Sequence, residues 1–152
     1  MKKGPLLIQQ AAIGDLSKVE DLITIESTGN EDYSRLPEIL LRKAIGNFSQ
    51  YIFLIANSQG VDVGYSIGYM FTDDQDAMEK LFIHHVFVRI ESRRQGIGYK
   101  LEKALIDYAG QRKVPRVCTS VTIGNDASLA LQEKLGFAIN TSADGHTANL
   151  DL

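Results

Sequence analysis

Basic residues are not in excess in this chain, cysteine occurs once, and no apolar run at the amino terminus is long; each shortage removes a class of function. Sixteen Lys and Arg stand against 19 Asp and Glu, for a formal net charge of -3 and a pI near 5.6. A general nucleic-acid surface needs a basic face that displaces counterions from phosphates, so no nucleic-acid partner is expected. Cys118 alone cannot form an intramolecular disulfide, which suits a reducing compartment. It lies in a strand-like run with no neighbouring histidine, and reads as a buried or half-buried strand thiol rather than a nucleophile. The opening MKKGPLLIQQ is basic, but its apolar segment is too short for a signal peptide or a membrane span. A cytoplasmic location and no membrane partner are therefore expected. With 44% hydrophobic and 23% charged residues, and no repeat or low-complexity tract, the chain suits one globular domain over residues 1–152.

What is present centres on LFIHHVFVRIESRRQGIGYKLEKALIDYA, Leu81 to Ala109. It reads as a strand from Leu81 to Val88, a basic turn, and an amphipathic helix from about Gly98 to Ala109, with Gly110 ending it. The glycines of Arg93-Arg94-Gln95-Gly96-Ile97-Gly98 stand where strand gives way to helix, so several backbone N–H groups can point at one spot. Such a nest binds an anion, because the first N–H groups of a helix lack intrahelical partners and the dipole adds positive charge there. A pyrophosphate fits it. The spacing excludes two familiar phosphate sites. No third glycine completes a dinucleotide fingerprint, and Gly98 is followed by Tyr99-Lys100 rather than Lys-Ser/Thr.

Taken in order, Leu6 to Ala12 predicts a strand, and Asp15 can cap a helix that turns Leu16, Val19, Leu22 and Ile23 to one face. Pro37 suits the first turn of a second helix stopping near Gly46-Asn47. Tyr51 to Ala56 and Val63 to Phe71 form a hairpin across Asn57 to Gly60. Gly64 and Gly68 within it mark either a bulge, a close backbone approach, or simple tolerance of glycine. After the central helix come a strand at Val117 to Ile123, a helix opening at Gly124-Asn125-Asp126, and strands at Phe137 to Asn140 and Thr147 to Leu152. The alternation predicts a mixed α/β sheet of six or seven strands with helices on both faces.

Val88 followed by Arg93-x-x-Gly96-x-Gly98 resembles the Arg/Gln-x-x-Gly-x-Gly/Ala signature of the GCN5-related N-acetyltransferases, the GNAT superfamily. Asn125 to Phe137, an Asn-started helix ending in Lys-Leu-Gly-Phe, resembles that family's second hallmark, in the family's order and separation. The resemblance implies the GNAT fold and acetyl transfer from acetyl-CoA to a primary amine, with acetyl-CoA as cosubstrate and no metal. It assigns cofactor binding to the turn at Arg93, Arg94, Gly96, Ile97, Gly98 and Tyr99, to the main chain of Val88, and to Asn125, which either contacts the pantetheine arm or caps its helix. The helix pair before the hairpin walls the acceptor site in such proteins, and homodimers are common among them.

Many of these enzymes carry Glu, Asp or His four residues before the matched valine, which selects His84 as base. Strand alternation sends His84 and His85 to opposite faces, so only one can face the acceptor. His84 either takes or relays the proton, or is a hydrogen-bonded sheet histidine while solvent or Glu79 acts instead. Gln132 stands where the family very often has tyrosine, the usual acid for the thiolate, and an amide cannot serve that role. Ser128, four residues earlier on the same helix face, can hydrogen-bond the sulfur or merely pack near the helix start. Acidic residues Glu31, Asp32, Asp73, Asp74, Asp76 and Glu79 fit a cationic amine by complementarity, or are solvated loop acids. A protein that keeps the cofactor cleft without efficient turnover is the principal rival; a nucleotide-dependent enzyme is the third reading.

Overall fold

The computed structural model describes residues 5–30 and 33–152. Seven strands form one sheet: β1 (Leu6–Gln10), β2 (Tyr51–Ser58), β3 (Val61–Thr72), β4 (Glu79–Val88), β5 (Arg116–Val121), β6 (Ala138–Ser142) and β7 (Gly145–Asp151). Their order is β1-β2-β3-β4-β5-β7-β6, antiparallel throughout except where β4 meets β5 in parallel. Helices α1 (Leu16–Ser27) and α2 (Leu36–Gly46) cover one face. On the other, α3 (Ile97–Gln111) packs its apolar stripe, with α4 (Asp126–Lys134) beside it. This is the mixed sheet with helices on both faces that the sequence predicts.

Each face has its own core. Val19, Leu22 and Ile23 of α1 meet Phe53, Tyr65 and Ile67. Leu101 and Leu105 of α3, one turn apart on its buried stripe, meet Leu81, Ile83 and Val117. Two glycines of β3 let α3 and β4 come close. A Cβ on Gly64 would lie 2.5 Å from the Phe87 carbonyl oxygen, and one on Gly68 would lie 3.1 Å from Leu105 Cδ2.

Several boundaries differ from the sequence expectation. Gly110 does not end α3. The helix runs to Gln111 and closes with Lys113 N–H on Gly110 O at 3.1 Å and Val114 N–H on Ala109 O at 2.9 Å. Lys113 itself takes the left-handed position at φ 57°, which usually falls to glycine, so no local residue advertises this stop. Asp15 precedes α1, yet its carboxylate accepts from Ala12 N–H at 3.0 Å and makes no cap bond to the helix.

The largest difference is in β4. Ile67 pairs with His85 and Gly68 with Ile83, so His84 is an extra residue without a partner in β3. That bulge breaks the alternation. Leu81 and Ile83 face the α3 core as expected, but His84 and His85 both face α1 and α2: His84 lies beside Tyr69 and Phe82, and His85 against Glu26 of α1. The expectation that the two imidazoles oppose one another is overturned by one inserted residue.

Candidate active site

The sheet parts down its middle. β4 and β5 pair only from Lys80–Arg116 to Ile83–Thr119, whereas β4 stays on β3 as far as Val88 and β5 stays on β7 as far as Val121. At the fork, the Thr119 hydroxyl donates to Ile83 O at 2.9 Å, satisfying a carbonyl where the ladder stops. Beyond it, the β5-facing edge of residues 84 to 88 borders a cleft. Arg89 N–H donates to Val63 O on the β3 side, so alternation turns the N–H and C=O of Val88 toward that cleft. The Val88 carbonyl accepts from Arg93 Nε at 2.9 Å, which ties the basic turn to the strand end.

At the mouth of the cleft sits the predicted nest. Arg94 (φ 65°) and Gly96 (φ 76°) are both left-handed, and Gly96 is the N-cap of α3. The first bond of the helix runs from Lys100 N–H to Gly96 O at 3.1 Å, leaving the N–H groups of Ile97, Gly98 and Tyr99 ahead of it. Nothing crowds their approach: a Cβ on Gly98 would meet only Val88 Cγ2, at 3.9 Å. The fit to a pyrophosphate rests on these free donors, the two left-handed residues and the open space at Gly98. The Tyr99 ring lies under Lys134 Nζ of α4, 4.9 Å from its centroid.

From α4, Asn125 Oδ1 accepts the Ser128 backbone N–H at 3.2 Å, so Asn125 caps its helix, one of its two anticipated roles. The Ser128 side chain is half-buried, and its hydroxyl has no partner among the described residues. Gln132 is turned away from solvent onto α3, where its Nε2 donates to Glu102 Oε1 at 2.9 Å. Burial pushes the Glu102 carboxyl up from its ordinary range, against a smaller opposing pull from that bond. Glu102 Oε2 and Gln132 Oε1 are both buried without a partner. The signal for Glu102 is its spacing, since it falls on one helical stripe with Leu105, Ile106 and Ala109, but nothing in the sequence names Gln132 as its partner.

Glu102→Gln is expected to stabilise the protein. An amide at position 102 can accept from Gln132 and donate back to its orphaned oxygen, removing a buried acceptor at a gain of about 1–3 kcal/mol. Since the folded state holds the Glu102 proton to higher pH than the unfolded chain, native stability falls as pH rises from the ordinary glutamate range through the raised value. The gain in melting temperature should therefore be larger at pH 8 than at pH 4, and equal gains would refute the buried-charge account.

On the opposite face of β4, His84 lines a cavity of about 440 Å³ between α2 and the β3–β4 hairpin, together with Lys43, Tyr51, Tyr69 and Phe82. Burial, and secondarily the charge of Lys43, lowers the His84 pKa from its ordinary value and so favours the uncharged imidazole. Beside it, His85 Nε2 lies 2.7 Å from Glu26 Oε2, and Tyr65 OH donates to Glu26 Oε1 at 2.6 Å. Glu26 was not singled out from sequence because it ends α1, far along the chain from both partners.

The acidic residues are less available than their number suggests. Lys80, nearly buried, holds both Asp73 and Asp76 at 2.9 Å and keeps both carboxyls below their usual range, chiefly through those hydrogen bonds. Glu31 and Asp32 lie outside the described residues. Cys118 is half-buried in β5, as expected, and burial pushes its thiol up. No group of three or more His, Cys, Asp or Glu able to hold a metal occurs among the described residues.

A model of the acetyltransferase (GNAT) family matches residues 17–137, and the chain belongs to that family. It is similar to the probable N-acetyltransferase camello of Xenopus laevis, 38% identical over 63 residues, which are 41% of this chain and 29% of that protein. A methionine sulfoximine/methionine sulfone acetyltransferase of Pseudomonas aeruginosa is 37% identical over 57 residues, 38% of this chain and 33% of that one. The chain thus matches no more than about a third of these curated relatives. The PaiA N-acetyltransferase of Thermoplasma acidophilum, solved with coenzyme A, superposes with a TM-score of 0.71 at 16% identity, covering 97% of this chain and 99% of that one. The ribosomal-protein-S18-alanine N-acetyltransferase of Escherichia coli does so at 0.72 and 20%, covering 97% and 93%. At these identities the likeness is one of fold.

Proposed function

We propose that the chain is an acetyl-CoA-dependent N-acetyltransferase acting on a primary amine. The parted β4–β5 edge opening onto the helix-start nest is the observation that carries this reading, because it offers a long thioester both a pyrophosphate site and a main-chain track. The N–H groups of Arg94, Gly96, Ile97, Gly98 and Tyr99 hold the pyrophosphate. Val88 N–H holds the pantetheine arm, and Arg93 braces the strand end. Asn125, through its cap, keeps the start of α4 in place.

Acetyl-CoA supplies an activated carbonyl; the protein orients it and moves protons. His84 accepts a proton from the substrate ammonium and so frees the amine lone pair to attack the carbonyl, while main-chain N–H at the cleft edge stabilises the oxyanion that forms, a contribution commonly about 3–4 kcal/mol. N–C bond formation gives the oxyanion, its collapse breaks C–S, and the second amine proton passes to water or to the departing sulfur. The thiolate, of modest basicity, leaves without a tyrosine acid, with the Ser128 hydroxyl or a water donating a hydrogen bond to the sulfur. A half-buried single thiol suits a reducing, cytoplasmic setting.

His84→Ala should lower kcat about 10²-fold, the usual scale for a positioned base, with acetyl-CoA affinity unchanged. The Glu26–His85 contact favours a second route, since a carboxylate that holds one imidazole nitrogen leaves the other as a base. Glu26→Gln separates them: a large loss of turnover there, with His84→Ala nearly silent, would move the base to His85. The burial of Gln132 against Glu102 favours one alternative function, a protein that binds the cofactor without efficient transfer. Calorimetric titration with acetyl-CoA, with ATP and NAD as controls, tests the cofactor site. Coenzyme A release on addition of amines then tests turnover, and saturable binding without release would leave the binding-only reading.

A further inference from the structure

The cavity beside His84 has a character opposite to the one the acidic loops suggest. Its walls are aromatic: Tyr51 and Tyr69 have ring centroids 4.9 Å apart, Tyr69 and Phe71 stack at 8° between planes, and Phe82 meets the His84 imidazole edge-on at 4.7 Å. From α2, Leu36 and Ile39 border it while remaining 38% and 47% exposed, so apolar surface is left for a guest to cover. Among the described lining residues Lys43 is the one cation, and none is a carboxylate. Lys43 makes no ion pair among the described residues. The nearest acid of α2, Glu38, bonds Tyr33 and Arg35 instead. The volume, about 440 Å³, lies within the range of roughly 300–1,000 Å³ usual for small-molecule sites.

We infer that this cavity takes an apolar α-amino acid as acyl acceptor, its side chain among the aromatic rings, its carboxylate on Lys43 and its α-amine toward His84. The inference rests on the acetyltransferase reading and names its substrate class. A polyamine would place a second ammonium beside Lys43 with no carboxylate to meet it. An amino acid instead pairs the lone cation, covers Leu36 and Ile39, and brings only the nitrogen that must be deprotonated to the imidazole.

The test uses the full chain, acetyl-CoA, and three amines, L-phenylalanine, L-phenylalaninamide and spermidine, with rates corrected for each deprotonated fraction. Phenylalanine should exceed both others in kcat/KM by at least about tenfold, the scale of one charged hydrogen bond. Lys43→Gln should raise KM for phenylalanine about tenfold or more without raising that for phenylalaninamide, leave the Kd of acetyl-CoA unchanged, and be rescued by Lys43→Arg. Phenylalanine left unacetylated by protein that binds acetyl-CoA, or matched by its amide or by spermidine, overturns the inference alone. Failure to bind acetyl-CoA overturns the acetyltransferase reading, and the inference with it.

Discussion

Gly98→Asp abolishes acetyl-CoA binding while leaving the protein folded; this is the largest functional effect expected of any single substitution here. The residue stands ahead of the first α3 hydrogen bond, among the N–H groups that form the nest. A carboxylate placed there occupies the anion's position and repels it, at a cost of about 4 kcal/mol for unit charges 4 Å apart near a protein surface. Affinity should fall more than about 10²-fold, as that energy implies. The fold should not suffer. The added Cβ meets only Val88 Cγ2 at 3.9 Å, and an acid in the first turn is favourable to the helix dipole. Calorimetry with acetyl-CoA, beside a thermal melt of each protein, separates the two effects; normal affinity in a folded Gly98→Asp variant would sink the phosphate-site assignment.

Gly64→Ala carries the largest expected cost in stability. The new methyl would lie 2.5 Å from Phe87 O and 3.3 Å from both Val88 Cα and Leu101 Cδ1. Two of those atoms are backbone, held by pairing of β3 with β4, so they cannot turn aside. Relief requires moving the end of β4 itself, and we expect a loss of about 3 kcal/mol or more. For a chain of this size that is a fall of roughly 6–12 °C in melting temperature. Gly68→Ala provides the comparison: its methyl would meet only side-chain carbons of Leu105 and Leu81, at 3.1 and 3.4 Å, and those can rotate. Its cost should stay near 1 kcal/mol, as for mild overpacking. Denaturant midpoints for the two variants measure the difference, and equal midpoints would contradict a backbone origin. Because the displaced segment ends at Val88, Gly64→Ala should also weaken acetyl-CoA binding, which Gly68→Ala should not.

The strand-to-helix turn and the cap of α4 were legible because their information is local. Arg93 to Gly98 names a strand-to-helix turn whose chemistry comes from its own backbone, and Asn125 caps the helix it begins. The faces of α1 and α3 follow from residue spacing alone, since Val19, Leu22 and Ile23, or Leu101 and Leu105, recur with the helical period. The strands follow in the same way from runs such as Tyr51 to Ala56, buried throughout. Gly110 misled for an equally local reason: glycine is the common helix stop, and here Lys113 adopts the left-handed conformation in its place.

The face of β4 that carries the histidines depends on pairings between segments distant in sequence. The bulge at His84 exists because Ile67 and Gly68 of another strand pair with His85 and Ile83, skipping one residue. No pattern within β4 encodes that register, yet it puts both histidines on one face. Glu26 reaches His85 and Tyr65 only after α1 docks on the sheet, and Glu102 finds Gln132 only after α3 and α4 come together. The sequence by itself determined the elements, their apolar faces and the glycine-bearing turn ahead of α3, since each is set by short-range geometry. Tertiary structure alone decided which side chains share the cavity beside His84 and what charge its described walls hold, because register and helix docking arise from long-range packing.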